Sequence, residues 1–147
     1  MTQVYDKSDL YWTSRGDYLI GNEGDVMDTK YDPLRSLVQE LRTRAKSDQG
    51  DWVVFPTVGA DLRDYVGEPN NATVAEGIRT RLLAAFARDG FVINRDMKIQ
   101  YMPIDREKLL VRASIKVAPT AANGNSSTLI LTMVYSYSDN NVYFVGV

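Results

Sequence analysis

The 147 residues suffice for one domain with a substantial core, because 44% of them are hydrophobic and 24% are charged. The 17 basic and 19 acidic residues leave a net charge of -2, which provides no electrostatic basis for binding nucleic acid or an anionic membrane. The absence of cysteine and histidine excludes disulfides, thiolate metal sites, the usual zinc sites and catalysis by Ser-His-Asp or Cys-His sets.

The first fifty residues predict a small hairpin followed by a helix. Apolar residues flank two tight turns, Arg15 to Asp17 and Asn22 to Asp25, as in a β-hairpin. Asp32-Pro33 is typical of a helix start, with aspartate at the N-cap and proline at the first helical position. The helix should end between Ser47 and Gly50, and its apolar stripe comprises Leu34, Leu37, Val38 and Leu41.

The segment from Gly50 to Asn70 concentrates turn residues, aromatic side chains and carboxylates, a mixture that neither a linker nor a buried helix would carry. Trp52 to Phe55 is a short apolar run that predicts an extended conformation, and Pro56 to Gly59 should turn the chain. Ala60 to Val66 is long enough for two helical turns, which the next glycine would end. The apolar side of these turns comprises Leu62, Tyr65 and Val66.

A second long helix is predicted from Ala72 to Asp89, because apolar residues recur there at every fourth position. Asn70 or Asn71 can cap its start, and Gly90 follows its last turn. The recurring residues are Val74, Ile78, Leu82 and Phe86.

From Phe91 onward the hydrophobic period changes to two, which predicts strands. The runs Leu109 to Val117 and Thr128 to Tyr137 should form a long antiparallel hairpin, joined by a polar loop from Pro119 to Ser127. Val142 to Val147 predicts a last short strand. The order of elements predicts an α+β fold with two main helices packed on an antiparallel sheet.

We interpret residues 1–147 as a single domain in three parts. Residues 1–30 form the N-terminal hairpin, residues 31–90 the helical part, and residues 91–147 the strand-rich part. The chain has no run of about 18 apolar residues, and its N-terminus lacks the apolar core of a signal peptide. We therefore expect neither a membrane span nor a secretory leader.

Three carboxylates raise the question of chemistry without histidine, since a pair of carboxylates suffices to hydrolyse a glycoside. Asp61, Asp64 and Glu68 are spaced by three and four residues, so a helix would bring them together. The same spacing is typical of the solvated face of a short helix, which is much the commoner case. A muramidase-type hydrolase that uses Glu68 with Asp61 or Asp64 is the alternative to a structural role.

Gly67-Glu68-Pro69 predicts a stiff corner that presents Glu68 at the entrance of the second helix. Glu68 there either caps the helix or binds a partner, and the residues alone leave both interpretations open. The aromatic residues around this segment either form a binding surface or fill the core under a loop, and we expect the core for most of them. These residues are Trp12, Trp52, Phe55 and Tyr65.

The last strand raises the question of an open sheet edge. Val142 to Val147 is apolar, and an exposed apolar edge strand is prone to aggregation unless it is paired. It pairs either inside the sheet, which leaves no edge, or with a strand added by another protein. The outward face of the long hairpin includes the apolar residues Leu110, Ile130 and Val134.

Taken in order, these motifs resemble the baseplate wedge family of contractile phage tails, which is often labelled lysozyme-like and has counterparts in tailocins and type VI secretion. The matching features, which span about residues 9 to 90, are Gly16-Asp17, Gly24-Asp25, the leucine-rich helix, Gly50-Asp51-Trp52, Phe55-Pro56, Gly59, Leu62, Tyr65 and Gly67-Glu68-Pro69. The family's Glu-Pro-Arg triplet falls on Glu68, Pro69 and Asn70, so asparagine stands where the family has arginine.

The resemblance implies a structural protein, not an enzyme, without cofactor or metal, in about six symmetric copies around the tail tube. Its partners would be the other wedge subunits, the tail sheath protein and tube or hub proteins. It would be made in the host cytoplasm and reside in the virion, at the tail baseplate. Wedge subunits would bind at Trp52, Glu68, Pro69 and Asn70, and the sheath would exchange strands at the long hairpin and at the last strand, which carries Val142 and Phe144.

Overall fold

The computed structural model describes residues 8–13, 15–30, 32–118 and 127–145, and it confirms the predicted α+β fold. Two α-helices pack against one face of a four-stranded antiparallel sheet. The first helix contacts the last strand and the second helix contacts the first strand, so the pair covers both edges of that face. In the described part of the chain, no helix combines the length and the apolar content needed to cross a membrane.

Helix α1 spans Pro33–Lys46, close to the predicted limits. Asp32 occupies the N-cap position, but its carboxylate makes no capping hydrogen bond and lies instead 3.1 Å from Nε of Arg35. The predicted apolar stripe faces the core, as expected for an amphipathic helix. Its residues Leu37, Val38 and Leu41 are buried, and Leu34 packs at the margin of the core.

Helix α2 spans Ala72–Ala87. Asn71 provides the predicted cap, because its side-chain oxygen accepts a hydrogen bond of 2.9 Å from the backbone N–H of Val74. The helix ends two residues earlier than predicted, since the chain tightens into a 3₁₀ turn over Arg88–Gly90. Asp89 has a φ of 59° in this turn, a conformation that no α-helix can continue through.

The middle of α2 carries a glycine where the ring of Tyr65 rests on the helix. A Cβ atom added to Gly77 would lie 2.5 Å from the Tyr65 hydroxyl oxygen. The guanidinium carbon of Arg81 lies 4.9 Å from the centroid of the same ring, within the range of a cation–π contact. The Tyr65 side chain therefore packs directly on α2 at Gly77 and beside the guanidinium of Arg81.

The sheet is a meander of four strands in sequential order, β1 Met97–Pro103, β2 Lys108–Val117, β3 Ser127–Ser136 and β4 Asn141–Val145. Strands β2 and β3 form the predicted long hairpin. Of the loop predicted from Pro119 to Ser127, residues 119–126 lie outside the described residues, as do residues 146–147, and Ser127 begins β3. Within the described chain β4 pairs with β3 alone and forms one edge of the sheet.

Burial alternates along the strands as the two-residue period predicts. The inward side chains of β2 are completely or almost completely buried against the helices. The buried inward set of β1, β2 and β3 comprises Met97, Ile99, Leu109, Val111, Ala113, Ile115, Val117, Leu131, Met133 and Tyr135. The opposite face of the sheet has no helix over it in the described chain.

Two predictions in the Gly50 to Asn70 segment are wrong. Residues Trp52 to Phe55 are exposed at the surface, so the core position expected for most of the aromatic residues is wrong for Trp52 and Phe55. The helix expected from Ala60 to Val66 shrinks to one 3₁₀ turn, Leu62–Tyr65, because Asp61 adopts a left-handed φ of 54°. Val66 is consequently 42% exposed rather than packed beside Leu62.

The N-terminal hairpin is present with both predicted turns, but it is joined by isolated bridges rather than by continuous strands. A buried glutamine of α1 fastens it to the domain. The Gln39 side chain accepts a hydrogen bond from the Trp12 N–H and donates one to the Leu10 carbonyl, each at 3.1 Å. The bridges join Leu10 with Asp28, Trp12 with Tyr18, and Ile20 with Val26.

Candidate docking surfaces

Trp52 to Phe55, called here the apolar loop, places four consecutive apolar side chains in solvent. Their exposed fractions are 42% for Trp52, 94% for Val53, 78% for Val54 and 63% for Phe55. Scattered apolar residues are normal on a protein surface, but a contiguous cluster indicates an interaction site. The Trp52 indole N–H donates a hydrogen bond of 3.0 Å to the Ser47 hydroxyl, which fixes one end of the cluster.

The base of the apolar loop is closed by backbone hydrogen bonds. The Ala60 N–H donates to the Ser47 carbonyl at 2.9 Å, and the Gly50 N–H donates to the Pro56 carbonyl at 2.8 Å. Gly59 makes this closure possible, since its φ is +143° and an added Cβ would lie 2.6 Å from the Gln49 nitrogen. The loop therefore presents its apolar tip from a fixed base.

Carboxylates of the same segment brace this base. The Asp51 carboxylate accepts a hydrogen bond of 2.9 Å from the Asp48 N–H, and the Asp61 carboxylate accepts one of 2.6 Å from the Gln49 N–H. Asp48 lies 3.0 Å from Nε of Arg63. Burial raises the pKa of Asp48, and the neighbouring charges of Asp51 and Asp61 add to that rise while Arg63 opposes it.

The three acids considered for hydrolysis differ in their partners. Asp64 forms an ion pair of 2.6 Å with Arg81, whose pKa is raised chiefly by that hydrogen bond. Asp61 accepts from the backbone of residue 49, as described above. Glu68 is exposed, and within the described chain its carboxylate has no hydrogen bond or ion pair. Over the same residues, no group of three acidic side chains is placed to hold a metal ion.

The predicted corner at Gly67-Glu68-Pro69 is attached to the sheet by its neighbours. The Gly67 N–H donates a hydrogen bond of 3.0 Å to the Tyr137 carbonyl. The Asn70 amide donates to the carbonyls of Asp105 and Lys108, at 2.7 and 3.0 Å, and its oxygen accepts from the Tyr137 hydroxyl at 3.3 Å. Asn70 thus links the start of α2 to the β1–β2 turn, and Pro69 and Glu68 are left exposed.

The side chains of Val142 and Phe144 face inward, so Val142 is not open to a partner as the sequence suggested and Phe144 is only partly open. Val142 is 3% exposed, and Phe144 packs against the core under α1. The outward side chains of β4 are Tyr143 and Val145, which are about half exposed. Contact between a partner and Val142 must therefore run through the strand backbone, whereas part of the Phe144 side chain stays exposed.

Sequence reasoning placed Leu110 and Val134 on the outward face of the sheet but missed the complete row of apolar side chains to which they belong. The register aligns one residue from each strand, and the two outer members are about half exposed. The row could be found only once the pairing of four strands is known, because each strand contributes a single residue. Its members are Met102, Leu110, Val134 and Tyr143.

It also missed Val53 and Val54 as exposed residues. The available signal was their position between the turn residues Gly50 and Pro56, in a run too short to cross a sheet.

Comparison of the chain with protein-family models, with curated proteins and with solved structures found no match.

Proposed function

We propose that the chain is a structural, non-enzymatic subunit of a contractile-tail baseplate that docks onto neighbouring wedge subunits and offers a strand edge to the sheath. The observation that carries the proposal is the apolar loop, whose four exposed side chains have no partner surface in the described chain. The resemblance of the ordered motifs, from the N-terminal hairpin to Gly67-Glu68-Pro69, supports the choice of a tail baseplate as the assembly.

Docking by the apolar loop follows from its exposure and its fixed base. Complete burial of Val53 or Phe55 against a partner would contribute roughly 1.5–3 kcal/mol for each side chain. Because the base is already closed by hydrogen bonds, little backbone ordering is needed when the partner binds. The exposed Glu68 and Pro69 lie later on the same connection between α1 and α2, and Glu68 would add a polar contact to a wedge subunit.

Strand addition at β4 would provide the sheath contact. An edge strand offers unpaired backbone groups, and hydrogen bonds to these groups give affinity while the alternating side chains give register. Deletion of residues 142–147 would be a poor test, because Val142 belongs to the core. Val145→Lys is sharper, since it places a charge on the exposed face of the edge strand.

We expect particles that carry Val145→Lys to have baseplates with little or no sheath, as seen by negative-stain electron microscopy. Ile130→Lys is the matched control, because Ile130 is 46% exposed on the same face of the inner strand β3, against 52% for Val145. Normal sheath on the Val145→Lys particles would contradict the proposed strand addition.

The location of the chain tests the proposed function directly. Gold-labelled antibodies against the purified chain should mark the baseplate end of contractile particles from its native source. Labelling elsewhere on intact particles, or labelling no stronger than on control particles from which the epitope is deleted, would overturn the proposal. A cell-wall clearing assay addresses the hydrolase alternative, for which activity lost in Glu68→Gln is the required result.

A further inference from the structure

Among the described residues, three basic side chains and no acidic one line a groove between the N-terminal hairpin and α1. Arg15 reaches it from the hairpin, and Arg42 and Lys46 reach it from successive turns of α1. The groove has a volume of about 260 Å³ and opens to solvent. The two tryptophans, Trp12 and Trp52, form its apolar walls.

The acidic residues nearest to these cations along α1 and the following loop are engaged elsewhere. Glu40 pairs with Arg44 at 2.8 Å, and Asp48 pairs with Arg63 at 3.0 Å. Within the described chain, no ion pair joins any carboxylate to the three cations of the groove. The groove therefore holds a local excess of positive charge in a chain whose net charge is negative.

Arg42 shows that this excess is more than an ordinary solvated surface. Its Nε atom is buried and has no hydrogen-bond acceptor, which is costly for a charged donor. Its guanidinium carbon lies 5.7 Å and the Lys46 ammonium 5.6 Å from the centroid of the Phe144 ring, so both cations are within cation–π range of the same ring. Burial lowers the pKa of Arg42, in keeping with a cation that lacks an anionic partner.

The helix dipole does not account for the cluster. Lys46 lies in the last turn of α1, where a cation is favoured, but Arg42 lies one turn earlier and Arg15 lies on the hairpin. What the three share is the groove and its tryptophan walls. A ligand that satisfies the site must supply an anion with apolar surface next to it.

We propose that this groove binds an acidic segment of a partner protein, with the carboxylate of an aspartate or glutamate paired to Arg42, Lys46 and Arg15. An apolar side chain next to that carboxylate packs against Trp12 and Trp52. Trp52 belongs both to the groove and to the apolar loop, so the two surfaces are continuous. The inference rests on the proposed function in one respect, since it assigns the carboxylate to a neighbouring assembly subunit.

Intrinsic fluorescence reads this groove directly, because the chain has two tryptophans and both line it. The full chain is titrated with acetyl-Leu-Asp-Leu-amide, acetyl-Leu-Asn-Leu-amide and inorganic phosphate. We expect a saturable change with the aspartate peptide, binding at least about tenfold weaker with the asparagine peptide, and weaker binding of the aspartate peptide at high salt. Equal responses to the two peptides, or no response, would overturn the proposal.

Variants assign the response to named residues. Lys46→Gln, at an exposed position, should weaken binding of the aspartate peptide several-fold, and Arg42→Gln should weaken it at least about tenfold. Lys98→Gln on the open face of the sheet is the control and should change nothing. Unchanged binding by Lys46→Gln and Arg42→Gln, with circular dichroism showing both folded, would overturn the assignment.

Two further outcomes are informative. Saturation by inorganic phosphate at a lower concentration than by the aspartate peptide would overturn the carboxylate segment in favour of a phosphate-bearing ligand. A chain found at the baseplate that ignores the aspartate peptide would overturn this inference and leave the proposed function intact. A chain that binds the aspartate peptide but is absent from baseplates would overturn the proposed function and leave the binding of an acidic segment intact.

Discussion

The apolar loop and the Gly67 to Asn70 corner lie on the same connection between α1 and α2, yet they use their side chains in opposite ways. Backbone hydrogen bonds close the base of the loop, and the side chains at its tip are exposed to solvent. The corner uses the side chain of Asn70 to join the start of α2 to the sheet. The comparison indicates that the loop is the candidate contact surface, while the corner mainly joins α2 to the sheet.

The difference also changes the meaning of the asparagine that stands where the resembling family has arginine. Asn70 donates to two backbone carbonyls within 3.0 Å and accepts from a tyrosine hydroxyl, so its polar atoms are already engaged. An arginine could donate to carbonyls but could not accept from Tyr137. At this position the chain has an internal clamp, and Glu68 is the polar residue that remains available to a partner.

Gly59→Ala tests the closed base of the apolar loop and should have the largest effect on stability among these variants. The substitution forces a side chain into a φ of +143° and toward the Gln49 nitrogen, which should lower the free energy of unfolding by roughly 2–5 kcal/mol. Urea unfolding measures the loss. Gly50→Ala is the control, because φ is +94° there but nothing lies within 4 Å of an added Cβ, and its cost should be about 1–2 kcal/mol. Equal costs would show that the close approach at Gly59 is unimportant.

Asn70→Ala tests the corner. It removes three hydrogen bonds that join α2 to the sheet, and we expect a loss of roughly 1–3 kcal/mol in the free energy of unfolding. Glu68→Ala, two residues away, should change stability by less than about 0.5 kcal/mol because its side chain is exposed. If Glu68→Ala proved the more costly of the two, the assignment of the clamp to Asn70 would be wrong.

Phe55→Ser should separate contact from stability. We expect a change below about 0.5 kcal/mol in unfolding, since the side chain is already in solvent, together with reduced incorporation into baseplates. Ile20→Ser supplies the comparison, because Ile20 is 64% exposed and Phe55 is 63% exposed, but Ile20 lies on the N-terminal hairpin. An equal loss of incorporation in both variants would show that the apolar loop contributes no more to docking than the N-terminal hairpin.

The smallest effects should appear in the pH dependence of stability. The pKa of Asp48, at the loop base, is raised by burial, so its contribution is present below the ordinary aspartate pKa and is lost as pH rises through the folded value. The pKa of Asp139 is lowered, first by a hydrogen bond from Ser136, so its contribution is present above the ordinary value and is lost as pH falls. Unfolding of Asp48→Asn and Asp139→Asn between about pH 3 and pH 7 should therefore differ from wild type with opposite slopes. Slopes of the same sign would contradict these assignments.

The sequence was sufficient to predict both helices, the long hairpin and the inward residues, because hydrophobic period reports which face of an element is buried. It failed for Trp52 to Phe55, since four apolar residues in a row carry no period and look the same in a core and on a surface. The two helical turns predicted over residues 60–66 are wrong, because the sequence does not reveal that Asp61 adopts a left-handed conformation. The groove could not be predicted at all, since Arg15 and Arg42 meet only when the hairpin folds onto α1.

Gly77 limits which substitutions the chain can accept in evolution. Alanine is the better helix former by roughly 1 kcal/mol, so selection for helix stability alone would replace a glycine in the middle of α2. The hydroxyl of Tyr65 occupies the space that the new methyl group would need. Residues 65 and 77 should therefore change together in related chains, with alanine at 77 appearing only where a smaller side chain has replaced the tyrosine.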